Sequence, residues 1–240
     1  MSMKRTFSYS VCAGLLLAVV LLPAGQVVAT KPKIQLLETG EFHGDEVGAR
    51  TGERWLGLFP VADGFVLLPT TLSVDAVVDA VVDGDDTQKK SGKKVMVHRD
   101  SDPVFLVKGA AMLRPGPVVT IFRERKSLGN AATIDLELKG KQYQLKVISQ
   151  DPQPKDFLLQ NTKLVLTLGR TSQTLISLKE HTDAGWFLFW AGDIDRDGKL
   201  DLYLDLSNHY NVSRRVLLLS SQAGKEKLVK ELARFETVGC

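Results

Sequence analysis

The chain has 240 residues, of which 44% are hydrophobic and 25% charged. That length is enough to bury an adequate core. The formal net charge of +3, from 31 basic and 28 acidic residues, leaves no electrostatic footprint for nucleic acid.

Residues 1–29 read as a secretory signal. The first ten carry Lys4 and Arg5 and no acid, residues 11–22 are an almost unbroken apolar run, and Val27-Val28-Ala29 offers a cleavage site after Pro23, Ala24 and Gly25. The run falls short of the roughly 20 residues of a membrane span and ends at Pro23. The expectation is cleavage near Ala29 and a periplasmic or secreted mature protein; a retained anchor is the alternative. No later segment is apolar enough to span a bilayer. Loss of Lys4 and Arg5 brings the mature charge near +1, and loss of Cys12 leaves Cys240 alone, so the mature monomer has no internal disulfide.

Residues 30–240 read as one mostly-β domain. Residues 33–38 alternate as a strand and are followed by a polar loop over 39–54 that holds Glu41, His43, Glu46 and Glu53. Short apolar runs at 55–59 and 64–68 flank a turn at Pro60-Val61-Ala62-Asp63. Residues 71–83 place valines near helical spacing, but valine favours strand, and strand is the reading adopted. A charged loop follows, where Asp83, Asp85 and Asp86 suggest either a solvated connection or a second cation site. Strands are expected at 94–98, 104–107 and 117–122. Hairpins are expected at 133–138 with 142–148 around Lys139-Gly140-Lys141, and at 163–168 with 173–178. Residues 215–219 form a further strand, and 228–235 a strand or short helix. About a dozen short strands imply an antiparallel sandwich or barrel-like assembly.

The chemistry concentrates late in the chain, at Gly192-Asp193-Ile194-Asp195-Arg196-Asp197-Gly198-Lys199-Leu200-Asp201. Alternate aspartates and a glycine that permits positive φ turn several carboxylates toward one point. Calcium takes six to eight oxygens at roughly 2.3–2.6 Å. An EF-hand needs Glu at the twelfth place and helical flanks, whereas Leu204 stands there and both flanks are aromatic or aliphatic runs of strand length. The aromatic run Trp186-Phe187-Leu188-Phe189-Trp190 is apolar on both faces, so its strand is expected to be central and covered on both sides.

This stretch resembles the Asp-x-Asp-x-Asp-Gly-x-x-Asp loop of FG-GAP/VCBS repeats, over residues 186 to about 220. The resemblance implies calcium held by Asp193, Asp195, Asp197, the backbone of Lys199, and Asp201. One copy does not make a propeller, which needs several blades.

No Gly-x-Ser-x-Gly, His-Glu-x-x-His or P-loop pattern is present, and the histidines at 43, 98, 181 and 209 lack metal spacing. The run around His43 offers an acid/base or zinc site, or a solvated loop. Asn208-His209-Tyr210-Asn211 offers a sugar or peptide contact, or a self-satisfied turn. Three functions compete: an exported calcium-binding β-protein with a structural cation and a binding or scaffolding role; a secreted hydrolase of carbohydrate or cell-wall polymer; and an adhesin-like surface protein. A cell-envelope or carbohydrate partner suits all three.

Overall fold

The computed structural model describes residues 33–129, 131–150, 161–179 and 185–239. The expected signal segment lies outside the described residues. Those that are described belong to a single unit, Pro32–Cys240.

The strands, in chain order, begin with β1 (Gln35–Leu37), β2 (Gly40–Phe42), β3 (Arg54–Val61) and β4 (Gly64–Val77). The middle of the chain gives β5 (Gly92–Val97), β6 (Leu106–Lys108), β7 (Gly116–Phe122) and β8 (Lys126–Ser127). Next come β9 (Thr133–Leu138), β10 (Lys141–Ser149), β11 (Thr162–Leu168) and β12 (Thr171–Leu178). The chain closes with β13 (Trp186–Asp193), β14 (Asp201–Leu206), β15 (Val212–Leu219) and β16 (Lys230–Val238). No helix occurs among the described residues.

Twelve strands form one antiparallel sheet whose main path runs β1-β6-β3-β4-β7-β13-β14-β15-β16. Its first and last strands come back into contact, so the sheet rolls into a nearly closed barrel. Strands β9–β12 make a second, four-stranded sheet. The fold is therefore the barrel-like all-β assembly expected, and not a propeller.

Two cores follow from the alternation of side chains across β14. Tyr203 points into the barrel, in one core with Leu58, Trp190, Leu217 and Phe235, and its ring centroid lies 4.7 Å from that of Phe105. Leu202, Leu204 and Leu206 point the other way, onto Leu145, Leu164 and Leu166 of the small sheet. Every residue of β14 is buried. The two sheets share no ladder. Apolar burial holds them together, at roughly 1.5–3 kcal/mol for each fully buried aliphatic side chain.

Strand β13 is central, as its composition requires. It pairs with β14 on one side and with β7 and β8 on the other. A bulge between Leu188 and Trp190 reverses which face each residue takes. Trp186 and Leu188 therefore enter the inter-sheet core, and Trp190 enters the barrel. Arg125 and Arg215 lie over the half-buried rings of Phe187 and Phe189.

Two segments differ from expectation, and a third resolves an open choice. The polar loop after β1 contains the short strand β2, paired with β5 through Gly40↔Val95. Strand β4 stops at Val77, because the Asp79 carboxylate accepts from the amides of Val81 and Val82 and sets a turn. Of the two readings of residues 228–235, strand and short helix, the strand holds from Lys230 onward: pairing with β15 buries Ala233 and Phe235, and that outweighs the helix-forming lysines and glutamates. No helix among the described residues is long and apolar enough to cross a membrane.

Candidate metal centre

The loop sits where β13 runs out at Asp193 and β14 starts at Asp201, with Gly192 facing Asp201 across the ladder. It joins two strands, as the flanking residues require. Ile194 and Leu200 are fully buried, one in each core, and fasten both arms of the loop. At the tip, Arg196 (φ 64°) and Gly198 (φ 81°) take the left-handed conformation that makes the reversal. Arg196 Nε donates to Pro117 O at 3.1 Å and one terminal nitrogen to Arg114 O at 3.2 Å, tying the tip to the start of β7.

This framework brings Asp193, Asp195 and Asp197 together, with one carboxylate oxygen from each inside a span of 4.8 Å. Asp193 Oδ2 accepts from Gly198 N at 3.0 Å and from Lys139 Nζ at 2.9 Å. Asp195 Oδ1 accepts from Asp197 N at 3.3 Å. Asp197 accepts from Lys199 N at 2.8 Å and from Ser220 Oγ at 3.0 Å. Two oxygens are left over. Asp193 Oδ1 and Asp195 Oδ2 are buried and have no hydrogen-bond partner. An unsatisfied buried acceptor costs about 1–3 kcal/mol, and more when charged. The donor set is all carboxylate oxygen, the chemistry of a hard cation, so the triad can hold a metal ion.

Asp201 plays a different part. It is fully buried and stands outside the group of three. Its Oδ2 accepts from Ile194 N at 2.8 Å and its Oδ1 from Ser220 N at 2.8 Å, and Oδ1 lies 3.0 Å from Ser220 Oγ, whose single hydrogen it shares with Asp197. These bonds hold the loop to the end of β15. Burial, with a smaller push from the Asp195 charge, raises its pKa to about 7 against the pull of the Ser220 and Ile194 amides. The Lys199 ammonium, more than half exposed, lies 3.6 Å from Asp197 Oδ2.

Lys139 and Ser220 join the site from a distant hairpin and a distant strand end, and no spacing within the loop signals either. The other candidates disperse. Asp83 accepts from the amides of Asp79 and Ser91, and Asp86 from Gln88, so these acids serve their own turn. His209 Nδ1 lies 2.6 Å from Asn211 Oδ1, and the exposed Tyr210 packs on the His209 ring.

His43 does acquire a partner. Its Nδ1 lies 2.5 Å from Asp79 Oδ2, beside a cavity of about 380 Å³ that Glu41 and Glu46 also line. Glu53 is elsewhere, bonded to Lys108 and Trp55. The hydrogen bond to Asp79 raises the His43 pKa and lowers that of Asp79. Each acid on the cavity wall already has a partner: Lys94 for Glu41, the amides of His43 and Val238 for Glu46, and His43 for Asp79. The arrangement ties β2 to the end of β16.

The chain matches no protein-family model, no curated protein and no solved structure. No match therefore supports the FG-GAP/VCBS resemblance, and the structure itself shows the cluster of Asp193, Asp195 and Asp197 that can hold a metal ion.

Proposed function

We propose that this is an exported β-protein with one structural calcium ion in the β13–β14 loop and a non-catalytic, binding or scaffolding role. The observation that carries this reading is the pair of buried, partnerless oxygens on Asp193 and Asp195. Calcium fits them because it accepts carboxylate oxygens in irregular geometry and in high coordination number, whereas magnesium demands a near-ideal octahedron. The proposed ligands are Asp193, Asp195 and Asp197 with the Lys199 carbonyl; Asp201, expected from the sequence as a fifth, instead braces the loop from outside the triad through Ile194 and Ser220. A cation there neutralises acids that otherwise crowd one turn, and clamps β13, β14 and the end of β15 where the two cores meet.

The burial of Trp55, Trp186 and Trp190, at 4%, 1% and 0% exposure, supports a packed scaffold over a surface that adheres through aromatic side chains. The engaged acids around His43 give a hydrolase reading no free pair of carboxylates.

Thermal melting tests the proposal. Stabilisation by a ligand is RT ln(1 + [L]/Kd), roughly 2.7 kcal/mol at a hundredfold excess over Kd. Calcium is expected to raise the melting temperature by several degrees over excess chelator. Asp195→Asn is expected to abolish that difference, and Asp85→Ala to preserve it. Equal melting with calcium and chelator, together with no heat on calcium titration, overturns the reading.

A further inference from the structure

The small sheet reaches into the candidate cation site with one side chain. Strands β9 and β10 are joined by the two-residue turn Lys139-Gly140, with Leu138 facing Lys141. Both turn residues have positive φ, 51° at Lys139 and 74° at Gly140. This is the primed hairpin turn, whose first position favours Asn, Asp or Gly. A lysine there bears left-handed strain that asparagine bears more easily. Its ammonium extends to Asp193 Oδ2 at 2.9 Å, while the Asp193 side chain is only 1% exposed. It also crosses Gly198, where an added Cβ would lie 3.6 Å from Lys139 Nζ.

The contact contributes little to joining the two sheets. The Lys139 side chain is half exposed, and pairs of that kind add little to stability. The inter-sheet core of Leu138, Leu145, Leu164, Leu188 and Leu204 does that work. What the ammonium does alter is the charge that an incoming ion meets. It occupies one oxygen of Asp193 and leaves the other, the partnerless Oδ1, for the site.

Resting on the calcium reading above, we propose that Lys139 is a built-in competing cation that lowers the affinity of the aspartate site. The ammonium neutralises part of Asp193 when the ion is away and repels the ion when it arrives. Calcium affinity in oxygen sites is tuned by ligand charge and rigidity, from nanomolar buffers to extracellular modules at roughly 10⁻⁴–10⁻³ M. A lysine on the one fully buried ligand of the triad moves the site toward the weak end of that range. The loop then fills only where calcium is abundant. The β9–β10 turn contacts the loop through Lys139, and the incoming ion weakens that contact.

The test is calorimetric titration of calcium chloride into the full chain and three variants. Lys139→Asn suits the turn and removes the ammonium, Lys139→Met keeps the stem, and Lys141→Met alters the charge of the same hairpin away from Asp193. Both Lys139 variants are expected to bind calcium about tenfold tighter than the parent, and Lys141→Met within about twofold of it. The calcium-dependent rise in melting temperature is expected to grow in both Lys139 variants. Unchanged or weaker binding in both, with the parent still binding, overturns the role of Lys139 and leaves the calcium site standing. A Lys139 variant that loses stability equally with calcium and with chelator, at parental affinity, marks the lysine as a plain docking contact and also overturns it. Absence of binding in all four chains overturns both proposals.

Discussion

Gly192→Ala probes the strand that carries the first aspartate. Gly192 pairs with Thr120 on β7 and faces Asp201 on β14. A Cβ added there overlaps the Val119 carbonyl oxygen and lies 2.5 Å from Cζ2 of Trp190 and 2.8 Å from its Cη2. Real Cβ contacts essentially never fall under 3.0 Å. Neither obstacle is the free end of a flexible side chain: one is backbone, and the other is an indole with 0% exposure, held by a 2.9 Å bond to Thr120 Oγ. Strand β13 must move away from β7. Overpacking of this kind costs about 1–3 kcal/mol, and a strained ladder bond adds about 1 kcal/mol. The expected loss is about 2–4 kcal/mol. For a domain near 200 residues this lowers the melting temperature by roughly 5–15 °C. Urea unfolding measures the energy, and Gly48→Ala serves as control because an added Cβ there meets nothing within 4 Å. If both variants fall within about 0.5 kcal/mol of the parent, the close packing of β13 on β7 is refuted.

Two further outcomes concern polar networks away from the loop. The pKa of His43 is raised by its bond to Asp79, so its contribution is complete below about 6.5 and is lost as pH rises through the raised value; the lowered pKa of Asp79 makes that partner's contribution complete above about 3.8. His43→Gln is expected to flatten the decline of unfolding free energy as pH rises above about 6.5, and an unchanged slope removes the ion pair from the account. Tyr203→Phe deletes the hydroxyl that donates to Glu38 Oε1 at 2.7 Å, and leaves Glu38 with Arg215, which also pairs with Asp205. The expected cost in urea unfolding is about 1.5–3 kcal/mol, as for a hydrogen bond to a charged group; a cost near zero shows that this carboxylate is not held by the tyrosine.

Local pattern made much of this legible. Alternation on either side of Lys139-Gly140-Lys141 placed a hairpin correctly, because period-two burial and a turn sequence agree there. The apolar run at 186–190 announced a central strand, but no composition reveals the bulge that sends Trp186 and Trp190 into different cores. Residues 228–235 show the limit from the other side: lysines and glutamates that suit a helix lie on a strand because β15 offers a partner. Within the site, the spacing of Asp193, Asp195 and Asp197 foretold their convergence. It did not foretell that both Asp201 oxygens accept from Ile194 and Ser220, nor that Lys139 arrives from the other sheet. The Ser220 and Lys139 contacts depend on elements 19 and 54 residues away in sequence, beyond the reach of any local pattern.

A crystal structure grown with calcium, with anomalous scattering measured at the loop, tests the central claim most directly. The account predicts one ion bound by Asp193 Oδ1 and Asp195 Oδ2, the oxygens now without partners, at roughly 2.3–2.6 Å. No anomalous peak at saturating calcium, with the three carboxylates turned apart into solvent, contradicts it.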